Sequence, residues 1–305
     1  MDFVSFEEEM EAAFEQELKN IGVNLIEDKA VQKLEQIGEG SFGKVYKGKY
    51  NNVIVAIKKI KLKEKEPEIF QSLLNEIKVI FKANNPEIPK FFGIAKRKGK
   101  YCLISEYIPG KPLKDIYEHM STKEKLKVIF DLCTILEDFH SKNLIHRDIK
   151  PANILVCPGD KTKLIDFGVS KIASHTVTYT KSQEGTTPYM SPEQFQIDID
   201  KYDDPNVEDI RPVQISTKSD IWSLGVMISE IFSGVKPYYN LTKRLTKPND
   251  LLITKRLSDN SPFPVPDCLA DDIKYIVVKA TNLNFEERPT ASEIKEYIGK
   301  LLLNK

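Results

Sequence analysis

Apolar positions in the first third of the chain recur at two different spacings. Up to about Gly22 they are three and four residues apart, which predicts an amphipathic helix. Short runs in which apolar and polar residues alternate then predict strands at 34–37, 44–50, 53–60, 91–95 and 101–105. The helical spacing returns between them, behind Pro67, from Ile69 to Phe81.

Beyond Pro109-Gly110 the pattern is mostly helical. One apolar stripe runs from Leu126 to His140, and residues 221–231 and 273–281 have the pattern of further helices. A β-rich first part followed by a helix-rich second part predicts an α+β fold with two lobes. We expect a ligand cleft near the junction at 106–110.

Composition and charge narrow the class of protein. The 305 residues are 41% hydrophobic and 30% charged, which argues against a mostly disordered, fibrous or membrane-embedded chain. Basic and acidic residues cancel, 45 against 45, which gives no support to bulk binding of polyanions. Residues 1–28 nevertheless contain nine acidic residues and one basic residue, a formal charge of −8. An acidic helix thus precedes a mildly basic remainder.

Cysteine usage and hydropathy predict the compartment. The cysteines are Cys102, Cys133, Cys157 and Cys268. They contain no CxxC pair and no zinc-finger spacing, so we expect free thiols in a reducing compartment. The N-terminus lacks an apolar signal core, and the most apolar stretch, 221–235, is too short to span a bilayer. These features predict a cytoplasmic protein, with the nucleus as an alternative, and no membrane contact.

A glycine-rich segment lies between two predicted strands. Gly38, Gly40 and Gly43 form the pattern G-x-G-x-x-G, and glycines let backbone amides approach phosphate oxygens closely. The same pattern occurs in dinucleotide-binding turns, but such a turn opens a helix, whereas residues 44–50 have strand spacing. No Gly-Lys-Ser/Thr follows, as a P-loop requires. The segment indicates phosphate binding by a loop between strands.

Lys58 lies inside the third predicted strand, on the same face as Ala56. That face points its ammonium group toward the glycine-rich segment. Glu76, in the helix that follows, is the expected partner of Lys58. The alternative is a solvated strand lysine, since other lysines surround it.

Two further segments contain candidate catalytic and metal-binding groups. Residues 146–153 read His-Arg-Asp-Ile-Lys-Pro-Ala-Asn. The aspartate, Asp148, can orient a hydroxyl and accept its proton, and Asn153 can bind a divalent cation. Asp166 lies 13 residues further on, in the sequence Asp-Phe-Gly, and supplies a second carboxylate.

In this order the motifs resemble those of the eukaryotic protein kinases, over about residues 34–301. Segment 185–193 resembles the end of an activation loop, and segment 219–225 resembles the buried helix of the large lobe. Arg288 stands where the family pairs an arginine with the glutamate at position Glu193. The resemblance implies an acidic N-terminal extension at 1–33 and a kinase domain at 34–301. Its small lobe would cover about 34–108 and its large lobe 109–301, with ATP in the cleft between them.

The resemblance also implies a role for each residue. Lys58, held by Glu76, would contact the α- and β-phosphates of ATP, and Asn153 with Asp166 would hold Mg²⁺, with Mn²⁺ as an alternative. Asp148 would orient the acceptor hydroxyl. The full implied catalytic set is Asp148, Lys150, Asn153 and Thr186. The implied ATP-binding set is Ile37, Gly38, Gly40, Gly43, Val45, Ala56, Lys58, Glu76, Ser105, Glu106, Ile108 and Leu155.

Substrate class and regulation follow from the same resemblance. Lys150 and Thr186 fit the serine/threonine pattern, so we expect protein substrates with serine or threonine acceptors. Arg147, directly before the catalytic aspartate, implies control by phosphorylation of the loop 166–193. That loop contains several hydroxyls, Ser170 among them, and we take Ser182 as the site of an upstream kinase. The kinase subgroup stays open between the MAP-kinase-kinase-like and the tyrosine-kinase-like serine/threonine groups.

Several alternatives stay open at this point. A kinase-like scaffold without catalysis would lack one of four residues that are all present here: Lys58, Asp148, Asn153 and Asp166. The basic runs have no interleaved aromatic residues, so we expect no nucleic-acid partner. Residues 198–216 are an insertion relative to the family, either exposed without a role or a docking loop. The N-terminal helix is either a solvated leader or docks on the basic small lobe or on a partner.

Overall fold

The computed structural model describes residues 6–40, 43–60, 67–97, 100–173, 178–180, 185–195, 213–239 and 250–304. The chain forms two compact units. The small unit comprises residues 1–109, and the large unit comprises residues 110–305. The first is built on a β-sheet and the second mainly on helices, so the predicted α+β class is confirmed.

The described part of the small unit contains one sheet, two α-helices and a short 3-10 helix, Asp28–Ala30. The helices are α1 (Phe6–Ile21) and α2 (Pro67–Ala83). The strands are β1 (Leu25–Ile26), β2 (Val31–Gly40), β3 (Gly43–Tyr50), β4 (Val53–Ile60), β5 (Phe91–Arg97) and β6 (Lys100–Glu106). Their order across the sheet is β1-β5-β6-β4-β3-β2, antiparallel except for the parallel pair of β1 and β5.

Both faces of this sheet carry apolar clusters, because side chains alternate along each strand. On β4, Val55 and Ile57 contribute to one apolar cluster, while Ile60 contributes to another. Leu73 and Ile77 of α2 pack into the second cluster. A hairpin turn with positive φ at both of its asparagines, 51 and 52, joins β3 to β4.

The large unit is mainly helical in the residues described. Its helices are α3 (Thr122–Ser141), α4 (Thr217–Ser233), α5 (Asp250–Ser258), α6 (Asp271–Ala280) and α7 (Ala291–Leu303). Its strands are β7 (Lys111–Pro112), β8 (Leu144–Ile145), β9 (Ile154–Cys157), β10 (Lys161–Leu164), β11 (Lys171–Ile172), β12 (Thr178–Thr180) and β13 (Val213–Ile215). They pair as β10-β9-β7, β11-β8 and β12-β13.

Helix α4 forms the centre of the large unit. Every residue from 219 to 231 is buried, including the charged Asp220 and Glu230. Ser216 caps its N-terminus, and Gly234, with φ of 71°, ends it in the left-handed conformation that glycine adopts without strain. Helix α3 packs against α7, and α4 packs against α6. No helix within the described residues is long and apolar enough to cross a membrane.

The end of the predicted 198–216 insertion belongs to regular structure. Residues 213–215 are β13, which pairs with β12, and Ser216 is the cap of α4. The last residues of the predicted insertion are therefore held by β12 and by the start of α4. Residues 198–212 lie outside the part of the chain that the structure describes.

Candidate active site

The glycine-rich segment is a β-hairpin. Gly38 pairs with Val45, and Gly40 pairs with Gly43, so strands β2 and β3 continue on both sides of the turn. This arrangement excludes the dinucleotide-binding alternative, which needs a helix after the glycines. Gly43 has φ of 144°, a conformation that a residue with a Cβ rarely adopts, which explains a glycine there.

Lys58 and Glu76 form an ion pair inside the small unit. The Nζ atom of Lys58 lies 2.7 Å from Oε1 of Glu76, and the two side chains are only 17% and 8% exposed. Lys58 lies in the middle of the sheet, opposite Val45 on β3 and Leu103 on β6. At this burial the ion pair is weakly screened by water, so it fixes the direction of the lysine side chain. The expectation that Glu76 is the partner of Lys58 is met.

The expected ATP-binding residues lie on five strands, one helix and one loop. Ala56 lies opposite Ser105 in the register of β4 and β6. The amide of Glu106 donates to the carbonyl of Lys90 at 2.7 Å. That amide is therefore occupied, which leaves the carbonyl of Glu106 and the backbone of Ile108 as the candidate contacts. Ile37 is exposed on β2, whereas Leu155, on β9 of the large unit, is buried.

The four expected catalytic residues form one hydrogen-bonded network in the large unit. Thr186 Oγ1 donates to Oδ1 of Asp148 at 2.6 Å, and Lys150 Nζ donates to Oδ2 at 2.6 Å. Asn153 Nδ2 donates to Oδ2 of Asp148 and to its carbonyl, both at 2.8 Å. Lys150 also contacts Thr186, at 2.5 Å. The network holds the nearly buried Asp148 carboxylate in one orientation.

Asp220 fixes the backbone of the loop that carries Asp148. Its fully buried carboxylate accepts from the amides of His146 and Arg147, at 2.8 Å each, and contacts His140 Nε2 at 3.0 Å. Burial alone would raise the pKa of Asp220, but the hydrogen bonds from His140 and from the His146 amide hold that pKa below its usual value. Sequence reasoning missed this role. The signal was a charged residue at the start of an otherwise apolar helix.

Asp166 and Asn153 fit a hard divalent cation. The backbone carbonyl of Asn153 accepts a hydrogen bond from the amide of Ile165 at 2.9 Å. Because Asp166 directly follows Ile165, this bond holds the backbone of Asp166 close to Asn153. Because Asn153 donates its Nδ2 to Asp148, its amide oxygen is the atom that a cation would bind. Among the residues described, no group of three or more acidic, histidine or cysteine side chains could hold a metal alone. Mg²⁺ typically binds through one or two protein oxygens plus substrate phosphates, which matches this pair.

Glu193 and Arg288 form the buried pair that the resemblance implied. Two guanidinium nitrogens of Arg288 lie 2.7 and 2.8 Å from the two oxygens of Glu193. Burial favours a higher pKa for the Glu193 carboxyl, but the hydrogen bonds and charge of Arg288 outweigh it and keep the pKa below its usual value. A bidentate pair of this kind fixes the position of Glu193 and so of the end of segment 185–193.

A second buried carboxylate anchors the same segment. Glu230 of α4 accepts hydrogen bonds from Tyr189 and Tyr117 and lies 2.7 Å from Lys236 Nζ. Burial, followed by the charge of Glu230, raises the pKa of Tyr189, so its hydroxyl stays protonated and donates. Sequence reasoning noted that Glu230 interrupts an apolar helix but did not find this role.

Of the two serine hydroxyls named above in the loop 166–193, the structure describes one. Ser170 is buried, and its hydroxyl donates to the carbonyl of His146 at 3.0 Å, so this hydroxyl of the loop is not exposed to an upstream kinase in this structure. The physical reason is that the residues just after Asp166 pack against the catalytic loop: the Val169 carbonyl also accepts from Arg147. Ser182 lies outside the described residues.

Comparison with known proteins identifies relatives along nearly the whole chain. The sequence model of the protein kinase domain matches residues 31–298. Mitogen-activated protein kinase kinase 7 from Arabidopsis thaliana is 30% identical over 268 residues, which is 87% of this chain and 82% of that protein. Mitogen-activated protein kinase kinase kinase 1 from the same plant is 32% identical over 270 residues, 86% of this chain but 41% of the relative. A probable serine/threonine-protein kinase from Dictyostelium discoideum is 30% identical over 268 residues, 86% of this chain and 50% of the relative.

Proposed function

This chain belongs to the eukaryotic protein kinase family, serine/threonine type, and we propose that it transfers the γ-phosphoryl group of ATP to serine and threonine hydroxyls of proteins. The observation that carries the proposal is the hydrogen-bonded network around Asp148. It joins an aspartate, a lysine, an asparagine and a threonine that lie up to 38 residues apart in the sequence.

In the proposed reaction Asp148 orients the acceptor hydroxyl and accepts its proton. Thr186, Lys150 and Asn153 fix the aspartate before substrate arrives, so little reorganisation is needed in the transition state. Lys150, 2.6 Å from the carboxylate, also brings a positive charge to the place where the γ-phosphoryl group would be transferred. Most of the rate enhancement comes from this positioning and neutralisation of charge.

Lys58 is the proposed contact of the α- and β-phosphates. Glu76 holds its ammonium group in place, and the glycine hairpin offers backbone amides to phosphate oxygens. Asn153 and Asp166 would hold Mg²⁺, which neutralises phosphate charge when bound. Mn²⁺ prefers the same oxygen ligands.

We propose that phosphorylation of the activation loop controls this activity, with Ser182 as the site. Arg147, which is buried and has φ of 69°, precedes Asp148 directly, so a phosphate that pairs with its guanidinium would act on the catalytic loop. After phosphatase treatment, wild type should regain activity with an upstream kinase, and Ser182→Ala should not. Thr180→Ala is the matched control in the same loop. Equal reactivation of Ser182→Ala and wild type would refute the proposal.

The partners in this proposal are other proteins. Relatives carry names of MAP kinase kinases and of their activating kinases, which supports a place in a chain of protein kinases. The compartment we propose is the cytoplasm, or the nucleus, where thiols such as those of Cys102 and Cys133 stay reduced.

The test of the proposed reaction is incubation with labelled ATP, Mg²⁺ and a degenerate peptide array. We expect label in peptides with serine or threonine acceptors, and Asp148→Asn should remove it. Mn²⁺ in place of Mg²⁺ measures the metal preference. Equal silence of wild type and variant, with ATP still bound, would favour a catalytically weak scaffold that binds ATP and partner proteins.

A further inference from the structure

We propose that helix α1 is a positioning element for the Lys58–Glu76 ion pair. This helix lies outside the matched family region, which begins at residue 31. It packs on α2, the helix that carries Glu76, through Phe14 and Leu18. The inference rests on the proposed function, because the pair matters for catalysis only if Lys58 binds ATP phosphates.

The apolar contact of α1 is part of the core and not a surface association. Phe14 is 3% exposed and Leu18 is 0% exposed. The ring of Phe14 lies 4.9 Å from that of Phe70 on α2 and 5.0 Å from that of Tyr101 on β6. Phe14 therefore fills the space between α2 and the sheet.

The cluster that α1 completes contains neighbours of both partners of the ion pair. Leu73 and Ile77, which belong to it, lie three positions before and one position after Glu76. Leu103, also a member, is the cross-strand neighbour of Lys58. Loss of Phe14 or Leu18 would remove packing next to the helix turn and the strand that bring the two charges together.

Polar contacts also join α1 to α2 and to the sheet. Glu17 Oε1 lies 2.9 Å from Lys78 Nζ on α2. Glu11 lies 2.6 Å from Lys96 Nζ on β5 and accepts from the hydroxyl of Tyr101 at 2.8 Å. Acidic side chains of α1 thus form ion pairs with lysines of the small unit. This arrangement favours docking on the chain itself over the solvated leader.

The consequence for catalysis follows from geometry. Because Glu76 lies on the helix that α1 packs against, a shift of α2 after loss of α1 contacts would also move Glu76 relative to Lys58. Misplacement of a positioning group by about 1 Å can cost about 10²-fold in rate. Because α2 also packs directly on the sheet, we expect weakened α1 contacts to lower kcat/KM for ATP by about tenfold, or ~1.4 kcal/mol.

The first experiment uses Leu18→Ala in the full chain. We expect the KM for ATP to rise and the KM for a peptide substrate to stay unchanged, because only the ATP contact depends on Glu76. Leu18→Met, which conserves volume, should restore the wild-type values. Leu126→Ala is the matched control: it truncates an equally buried leucine on α3 of the large unit. A loss of folded protein alone lowers the apparent kcat and leaves both KM values unchanged.

The second experiment reverses charges on a partly exposed contact, which avoids a folding defect. Glu17→Lys and Lys78→Glu should each lower kcat/KM for ATP by about threefold, since like charges then face each other. The double variant Glu17→Lys/Lys78→Glu should recover activity. Gln16→Lys, an exposed neighbour on α1, should have no effect. Failure of the double variant to recover, with both single variants impaired, would overturn the proposal.

Hydrogen exchange separates this inference from the proposed function. Amides 73–80 of α2 should exchange faster in Leu18→Ala than in wild type or in Leu126→Ala, whether or not the enzyme is active. An inactive wild type with this exchange pattern would overturn the proposed function alone. An active wild type whose α2 exchange and KM for ATP are unchanged in Leu18→Ala would overturn the inference alone.

Discussion

Thr186 donates a hydrogen bond of 2.6 Å to Asp148, although the two residues lie 38 positions apart in the sequence. Thr186 precedes the segment that Tyr189 and Glu193 anchor in the large unit through Glu230 and Arg288. The orientation of the proposed base is therefore linked to segment 185–193, which resembles the end of an activation loop. A displacement of that segment would break or weaken the hydrogen bond from the Thr186 hydroxyl and so change the orientation of the Asp148 carboxylate.

Replacement of Thr186 by valine should test this link. Thr186→Val keeps the shape but removes the donor, and we expect kcat to fall by about 10²-fold because the aspartate is no longer held. Thr186→Ser keeps the hydroxyl and should retain most of the activity. Steady-state kinetics with a peptide substrate measure both. Equal kcat values for the two variants would show that the hydroxyl is not needed.

Arg288→Ala should destabilise the large unit strongly. The variant leaves the buried carboxylate of Glu193 without its bidentate partner, which costs about 3–5 kcal/mol for a buried pair. Urea unfolding at neutral pH measures the loss. Lys300→Ala removes an exposed pair with Glu296 on α7 and should leave the unfolding free energy unchanged. Similar values for the two variants would contradict a structural role for Arg288.

The stability of the fold should fall as the pH drops below about 6.5. His146 is completely buried, and burial lowers its pKa because the charged form loses its hydration. The unfolded chain binds the proton near pH 6.5, whereas the folded chain resists it. The stability from the neutral histidine is therefore fully present above that pH and is lost as the pH falls toward the folded-state pKa.

Urea unfolding at pH 7.5 and pH 5.5 measures this dependence. His146→Phe removes the titrating group, and the new ring would face Phe167, 5.2 Å from the imidazole. The difference in unfolding free energy between the two pH values should shrink in this variant. An unchanged difference would assign the effect to another group.

Ser105 should make the ATP pocket tolerant of large purine inhibitors. Its short side chain lies opposite another small residue, Ala56, in the register of β4 and β6. We expect Ser105→Met to weaken a purine inhibitor with a bulky substituent by about tenfold or more, because the added side chain fills that space. An unsubstituted purine inhibitor serves as the control. Equal inhibition of wild type and Ser105→Met by the bulky compound would contradict a position of Ser105 next to the bound purine.

The elements of the fold were predictable where periodicity was long and uninterrupted. Strand β4 has the bounds that the alternation predicts, and α3 and α4 extend the predicted apolar stripes by one or a few residues at each end. Strand β1 was not predicted because two residues contain no periodic pattern. Its pairing with β5 depends on a chain segment about 70 residues away.

Site residues were predictable where one short sequence motif contains them. They were not predictable where their hydrogen-bond partners lie on distant elements of the chain. The roles expected for Lys58 and Asp148 came from their motifs. Asp220 and Glu230 could not be assigned, because the amides and hydroxyls that they bind lie on other elements. Docking of α1 also stayed open, since an amphipathic stripe shows that a partner exists without identifying the surface.

Initial rates with three peptides that differ only in the acceptor, serine, threonine or tyrosine, test the central claim most directly. With Mg²⁺ and ATP, we predict transfer to serine and threonine and little to tyrosine. Asp148→Asn should lower the rate by about 10²- to 10⁴-fold, the usual contribution of a general base, while ATP binding is retained. No transfer by wild type, a preference for tyrosine, or an equal rate for Asp148→Asn would contradict the account.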